Sequence, residues 1–126
     1  MVYVEATKHT AYAAPEAYER ITTWERHRVP LTRIRRTDAG FVARTGVGPL
    51  AFDDVMRIAR ADPPRSVQLV KEGNVVSGWA IIDVEPDDVG CVVTWQEEMS
   101  FRGIPDPLIA PALRWMVRRL LTQLLA

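Results

Sequence analysis

The chain is poor in the residues that carry the commonest catalytic and redox chemistry. It has one cysteine, Cys91, and two histidines, His9 and His27, among 126 residues. A lone cysteine excludes an internal disulfide and fits a reducing compartment. Flanked by Val89 and Val92, it reads as a small buried apolar residue, without the basic or helix-N-terminal setting that favours a thiolate. The histidines fall on separate elements with no partner ligands at suitable spacing, so no metal site is expected. They also leave little choice of base for a nucleophile, and Ser66, Ser77 and Ser100 lack an elbow motif. Gly46-Val47-Gly48-Pro49 lacks the third glycine and the Lys-Ser/Thr of a phosphate loop, and reads as a turn.

Net charge is also missing. Sixteen basic and sixteen acidic residues give a formal charge of zero, which argues against a nucleic-acid partner. No apolar run is long enough to span a bilayer: Leu108 to Ala126 is interrupted by Arg114, Arg118 and Arg119. The N-terminus has no charged-then-apolar signal pattern. A cytoplasmic location is therefore expected. Linkers and internal repeats are absent, so residues 1–126 read as one domain, long enough for a real core.

What is present is an order of elements. Val2 to Thr10 is rich in β-branched and aromatic residues and predicts a strand. Ala14-Pro15-Glu16 opens a short helix, with proline early and an acid in the first turn. Trp24 to Arg28 predicts a second short helix, ended by Pro30. Six further strands follow: Leu31 to Thr37, Phe41 to Thr45, Ala51 to Ala61, Ser66 to Glu72, Val75 to Glu85 and Cys91 to Phe101. The short turns between them imply antiparallel neighbours. The last element is a helix starting near Asp106-Pro107, with an irregular first turn expected at Pro111. Its Leu113, Met116, Val117, Leu120, Leu121 and Leu124 share one arc of the helical wheel. A curved antiparallel sheet and one long apolar helix pack with the sheet wrapped around the helix.

This order resembles the START-like, or SRPBCC, superfamily, and within it the bacterial polyketide cyclase/dehydrase and lipid-transport family. Ala14-Pro15-Glu16-Ala17, Trp24-Glu25-Arg26-His27, Asp62-Pro63-Pro64 and Val93-Thr94-Trp95 carry the likeness, which covers essentially the whole chain. The resemblance implies an α+β helix-grip fold: a seven-stranded curved antiparallel sheet around a long C-terminal helix, with two short helices after the first strand. It also implies an apolar cavity between sheet and helix that takes a small hydrophobic ligand, such as a lipid or polyketide. Members have no universal catalytic motif, so the resemblance assigns no catalytic residue and implies no cofactor.

Strand alternation points to candidate residues. Successive side chains face opposite sides of a sheet, so Val93, Trp95, Glu97 and Met99 share one face, and Phe52, Asp54, Met56 and Ile58 share another. The apolar members place both sets inward, carrying Glu97 and Asp54 with them. Carboxylates in an apolar cavity have raised pKa values and can serve as acid and base; equally, Arg44 or Arg57 can simply pair with them. Trp79, Trp95, Phe41 and Phe52 are candidate lining aromatics. The expected ligand-contacting set is Arg44, Phe52, Asp54, Met56, Trp95, Glu97 and Met99, joined from the helix by Leu113, Val117 and Leu120. A ligand is expected to reach them near the Gly46–Pro49 and Gly103–Pro107 loops.

Two surface features complete the reading. Arg33, Arg35 and Arg36 make the second strand basic, as a solvated edge that discourages aggregation or as an attraction for an acidic group. Trp115 falls among Arg114, Arg118 and Arg119 on the wheel, and is either covered by the short helices or exposed as a homodimer surface. Three functions stay open: a binding module for an apolar ligand, a cyclase or dehydratase using Glu97 and Asp54, and a partner-binding domain with a filled cavity.

Overall fold

The computed structural model describes residues 1–126. Its elements are β1 (Val2–Thr10), α1 (Ala14–Thr22), a single 3-10 turn at Trp24–Arg26, β2 (Thr32–Arg36), β3 (Gly40–Thr45), a 3-10 turn at Gly48–Leu50, β4 (Phe52–Asp62), β5 (Ser66–Glu72), β6 (Val76–Asp87), β7 (Gly90–Phe101) and α2 (Asp106–Leu124). The seven strands form one antiparallel sheet in the order β1-β7-β6-β5-β4-β3-β2. Strands β2 to β7 are a simple meander, and β1 pairs along the open edge of β7 from Val2↔Met99 to Thr10↔Cys91. The fold is α+β and matches a helix grip.

Two expectations need adjustment. The second short helix is only one 3-10 turn, because Pro30 follows too closely for an α-helical ladder to form. Helix α2 runs through Pro111 without a break; the missing N–H falls near the start of the helix, where little of the ladder is lost. The expected turn at Gly46–Pro49 runs into a 3-10 turn at Gly48–Leu50.

The helices cover the sheet unequally. Helix α2 packs on β1 and the adjoining part of β7, and α1 closes on β6 and β7. In this half the alternation yields a dense core, in which Ala17, Cys91 and Val93 have no exposed surface and Val117, Ile21, Ile82 and Leu124 only 1 % each. Arg20 ties the layers together by donating from Nε to the Leu124 carbonyl at 2.6 Å, satisfying a carbonyl at the end of α2. Over β2, β3 and β4 no helix lies. That region is bridged by the 3-10 turn, whose buried Trp24 stacks on Phe41 with ring centroids 4.6 Å apart, while β4 is only half-buried from Phe52 to Ile58.

Candidate functional site

The interior of the β2–β5 half holds a cavity of about 170 Å³, with fourteen of its twenty lining side chains hydrophobic. The walls come from alternate residues of successive strands: Phe41 and Ala43 of β3, Phe52 and Met56 of β4, Leu69 of β5, and Trp95 and Met99 of β7. Met116 and Leu120 of α2 close one side, and Trp24, His27 and Val29 close another. The cavity runs to the end of the sheet marked by the pairs Thr32↔Thr45, Thr45↔Phe52 and Val76↔Phe101. Phe52 and Phe101 meet there edge to face at 4.8 Å. The connections beyond this end carry Leu31, Val47, Leu50 and Ile104, all exposed, as is Leu108 in the first turn of α2. Leu31 holds a left-handed φ of 58°, a costly conformation for a non-glycine residue.

Three charged side chains meet inside this apolar lining. Lys71 Nζ donates to Asp54 Oδ2 at 2.6 Å and lies 3.9 Å from Glu97 Oε2. A weak contact to Met56 Sδ at 3.7 Å completes the surroundings of the ammonium. On the strand itself, Trp95 Nε1 donates to Glu97 Oε1 at 3.1 Å, across the i, i+2 spacing of one strand face. Lys71 and Glu97 are 3 % and 2 % exposed. They sit on strands separated by β6, and the register explains how they meet. Lys71 lies opposite Gly78, and Ala80 lies opposite Glu97, so the interior face of β6 between them carries only small residues. Gly78 has a φ of 142°, and a Cβ there would collide with the Glu98 carbonyl; only glycine fits this close approach.

The electrostatics follow from burial. Burial pushes the Glu97 carboxyl above its ordinary pKa, and Asp54 adds to that push, while Lys71 and the Trp95 N–H oppose it without cancelling it. Burial disfavours the Lys71 ammonium as well, but Glu97 and Asp54 outweigh that and leave its pKa above the usual lysine value. One ammonium can neutralise one carboxylate, and a second unpaired anion in this lining would be costly. The arrangement of least charge is therefore an Asp54–Lys71 ion pair beside a protonated Glu97. Asp54 Oδ1 and Glu97 Oε2 are buried without a hydrogen-bond partner. His27, at the cavity wall, binds the Ile21 carbonyl through Nε2 at 2.7 Å, which requires the Nε2–H form; burial lowers its pKa and favours the neutral ring.

Of the expected site residues, Phe52, Asp54, Met56, Trp95, Glu97, Met99 and Leu120 border the cavity. Arg44 does not. It pairs on the outer face with Asp53, Nη1 to Oδ1 at 3.1 Å. The register sets Ala43 opposite Asp54, so Arg44 and Asp54 face opposite sides of the sheet. Leu113 and Val117 are buried but belong to the filled core that α2 makes where it packs on β1, and do not border the cavity. Trp79 stands on the outer face against Tyr3, 6.2 Å between centroids. The expected acid–base pair is interrupted by Lys71, which engages one oxygen of Asp54. Lys71 itself was missed by the sequence reading. A signal was present, since Val67, Leu69 and Lys71 alternate on one strand face, but a lysine at a strand end ordinarily reads as solvated.

On the surface, Arg33, Arg35 and Arg36 are exposed on the edge strand β2, with Arg36 bound to Glu25 at 2.9 Å. Trp115 is 52 % exposed, and the short helices do not cover it. The Arg119 guanidinium stacks 5.1 Å from its ring, and Arg28, Arg114 and Arg118 line the same open groove. A two-fold dimer on this face would set arginines against arginines. No group of histidine, cysteine or carboxylate side chains is placed to hold a metal, and no helix is long and apolar enough to cross a membrane.

No protein-family model matches this chain, and no curated protein matches it. Solved structures do. The protein XoxI from Bacillus cereus superposes with a TM-score of 0.74 at 13% identity, covering 99% of this chain and 94% of that one. Protein CV1439 from Chromobacterium violaceum gives 0.72 at 12% identity, over 99% and 96%. The protein of unknown function SA2116 from Staphylococcus aureus gives 0.71 at 9% identity, over 98% and 90%. At such identities the likeness is one of fold: this chain has the curled seven-stranded sheet and C-terminal helix of these bacterial proteins along its whole length.

Proposed function

We propose that the chain is a START-like (SRPBCC) binding module that takes a small, mainly apolar molecule into the cavity of its β2–β5 half. The observation that carries the reading is the cavity itself: unfilled space of about 170 Å³, apolar on most sides, with one polar cluster at its wall. Small-molecule sites are typically apolar pockets with a few convergent polar groups. The volume suits a single-ring or short-chain molecule, since an apolar space of about 150 Å³ suffices for benzene. Affinity comes mainly from apolar burial, at roughly 25 cal/mol per Å² before ordering costs. The exposed apolar residues Leu31, Val47, Leu50, Ile104 and Leu108 favour access from that end of the sheet.

Native mass spectrometry of gently purified protein tests this reading, together with titration by cyclohexanol followed through the indole N–H resonances of Trp24 and Trp95. A discrete added mass, or a saturable shift of those two resonances, is the expected result, and either is lost in Met116→Trp, which fills the cavity. A bare chain whose indole resonances stay unmoved would overturn it.

A further inference from the structure

We infer that the polar end of the ligand is a hydroxyl, a neutral group that donates to Asp54 and accepts from Glu97, and that acid-headed molecules are excluded. This rests on the cavity being a ligand site, as proposed above.

Asp54 and Glu97 both border the cavity, and each carries a buried oxygen without a partner, Asp54 Oδ1 and Glu97 Oε2. Leaving buried polar atoms unpaired is unfavourable, so they mark where a ligand's polar group completes the bonding. Their senses differ. Asp54, held by the Lys71 ammonium at 2.6 Å, offers Oδ1 as an acceptor only. Glu97 already receives the Trp95 N–H on Oε1 at 3.1 Å, and its proton therefore sits on Oε2, which becomes a donor. One hydroxyl oxygen satisfies both, taking the Glu97 hydrogen and giving its own to Asp54. A methyl group leaves both unpaired. A carboxylate or phosphate brings a further anion to a site whose single ammonium is already engaged.

The groups facing Glu97 support a proton there. Asp54 of β4 and Lys71 of β5 are the charged neighbours, and Trp95 of β7 supplies the one hydrogen bond. Its register partners are Val4 of β1 and Ala80 of β6. Helix α2 presents Met116 and Leu120 to the same cavity, and the segment after α1 presents His27, which is bound to the Ile21 carbonyl. No arginine borders the cavity to hold an acid.

The test compares three six-membered rings on the full chain by calorimetric titration: cyclohexanol, methylcyclohexane and cyclohexanecarboxylate. Cyclohexanol is expected to bind at least about ten-fold more tightly than either of the others, because a site built for a hydroxyl rejects the analogue that lacks it. Raising the pH to ionise Glu97 should shrink that preference. Glu97→Gln, whose amide N–H₂ replaces the acid proton as donor, should keep the preference and lose its pH dependence, with folding checked by thermal melting. Equal binding of cyclohexanol and methylcyclohexane, tighter binding of the carboxylate, or loss of the preference in folded Glu97→Gln would each overturn the inference and leave the cavity reading standing. If no ring binds, both fall.

Discussion

The two halves of this sheet share one in–out alternation and put it to different ends. In the half under α1 and α2, inward residues such as Val93 and Ile82 meet helix side chains and disappear into a packed core. In the half formed by β2 to β5, inward residues such as Phe52 and Met56 border unfilled space. The strand pattern is the same; what differs is whether a helix lies above it. A hydrophobic side chain is core in one half and cavity wall in the other, and the polar residues follow suit. A charge facing a packed core would have no room for partners, whereas Lys71, Asp54 and Glu97 reach one another along the edge of the space.

The contrast can be broken most sharply at Lys71. Lys71→Met removes the only cation of the buried cluster and leaves the Asp54 carboxylate uncompensated beside Glu97, so a loss of about 3–5 kcal/mol is expected from urea unfolding. Adding Asp54→Asn and Glu97→Gln to that variant should recover most of the loss. A Lys71→Met protein as stable as the parent would mean that the cluster is solvated.

A smaller effect sharpens the filled-versus-hollow distinction. Leu121→Ala, in the packed half, should cost about 2–5 kcal/mol through lost burial and a new void. Met56→Ala enlarges a space that already exists and should cost less than half as much, both read from urea midpoints. Equal losses would mean that the β2–β5 half is packed as tightly as the other.

The smallest expected effect is on pH dependence. The folded chain holds the Glu97 proton more tightly than the unfolded chain, whose reference value is 4.5. As the pH rises above that reference, the unfolded state loses its proton first, so this group lowers stability with rising pH until its raised folded pKa is passed. His27 acts in the opposite sense. Its folded pKa lies below 6.5 because burial disfavours the imidazolium, so stability contributed by the neutral ring is lost as the pH falls below that value. Urea unfolding from about pH 5 to pH 8 should show the two slopes partly offsetting each other, and Glu97→Gln should leave only the His27 rise. An unchanged profile in that variant would contradict the burial of a titrating Glu97.

Much of the fold was legible in the sequence because turns and alternation act locally. The meander follows from Asp38-Ala39-Gly40, Gly73-Asn74 and Pro86 to Gly90, and the packing of α2 follows from the arc of Leu113, Val117, Leu120 and Leu124. The inward facing of Glu97 and Asp54 came from the same alternation. The site was less legible because it depends on how strands align. That Arg44 and Asp54 face opposite sides depends on a register that only the Ala43↔Asp54 pairing reveals. Lys71 was hidden for a related reason: its partners lie on β4 and β7, distant in sequence, and the room it occupies is left by Gly78 and Ala80. The division between core and cavity was not legible at all, since an apolar residue carries no mark of what stands opposite it.

The central claim is that the β2–β5 half encloses apolar space open to a small molecule, and a crystal of the protein pressurised with xenon tests it most directly. Xenon partitions into dry apolar cavities. The account predicts a well-occupied xenon atom among Phe41, Met56, Trp95 and Leu120, absent in Met116→Trp. Side chains closed over that position, with no xenon bound between β3 and β7, would contradict it.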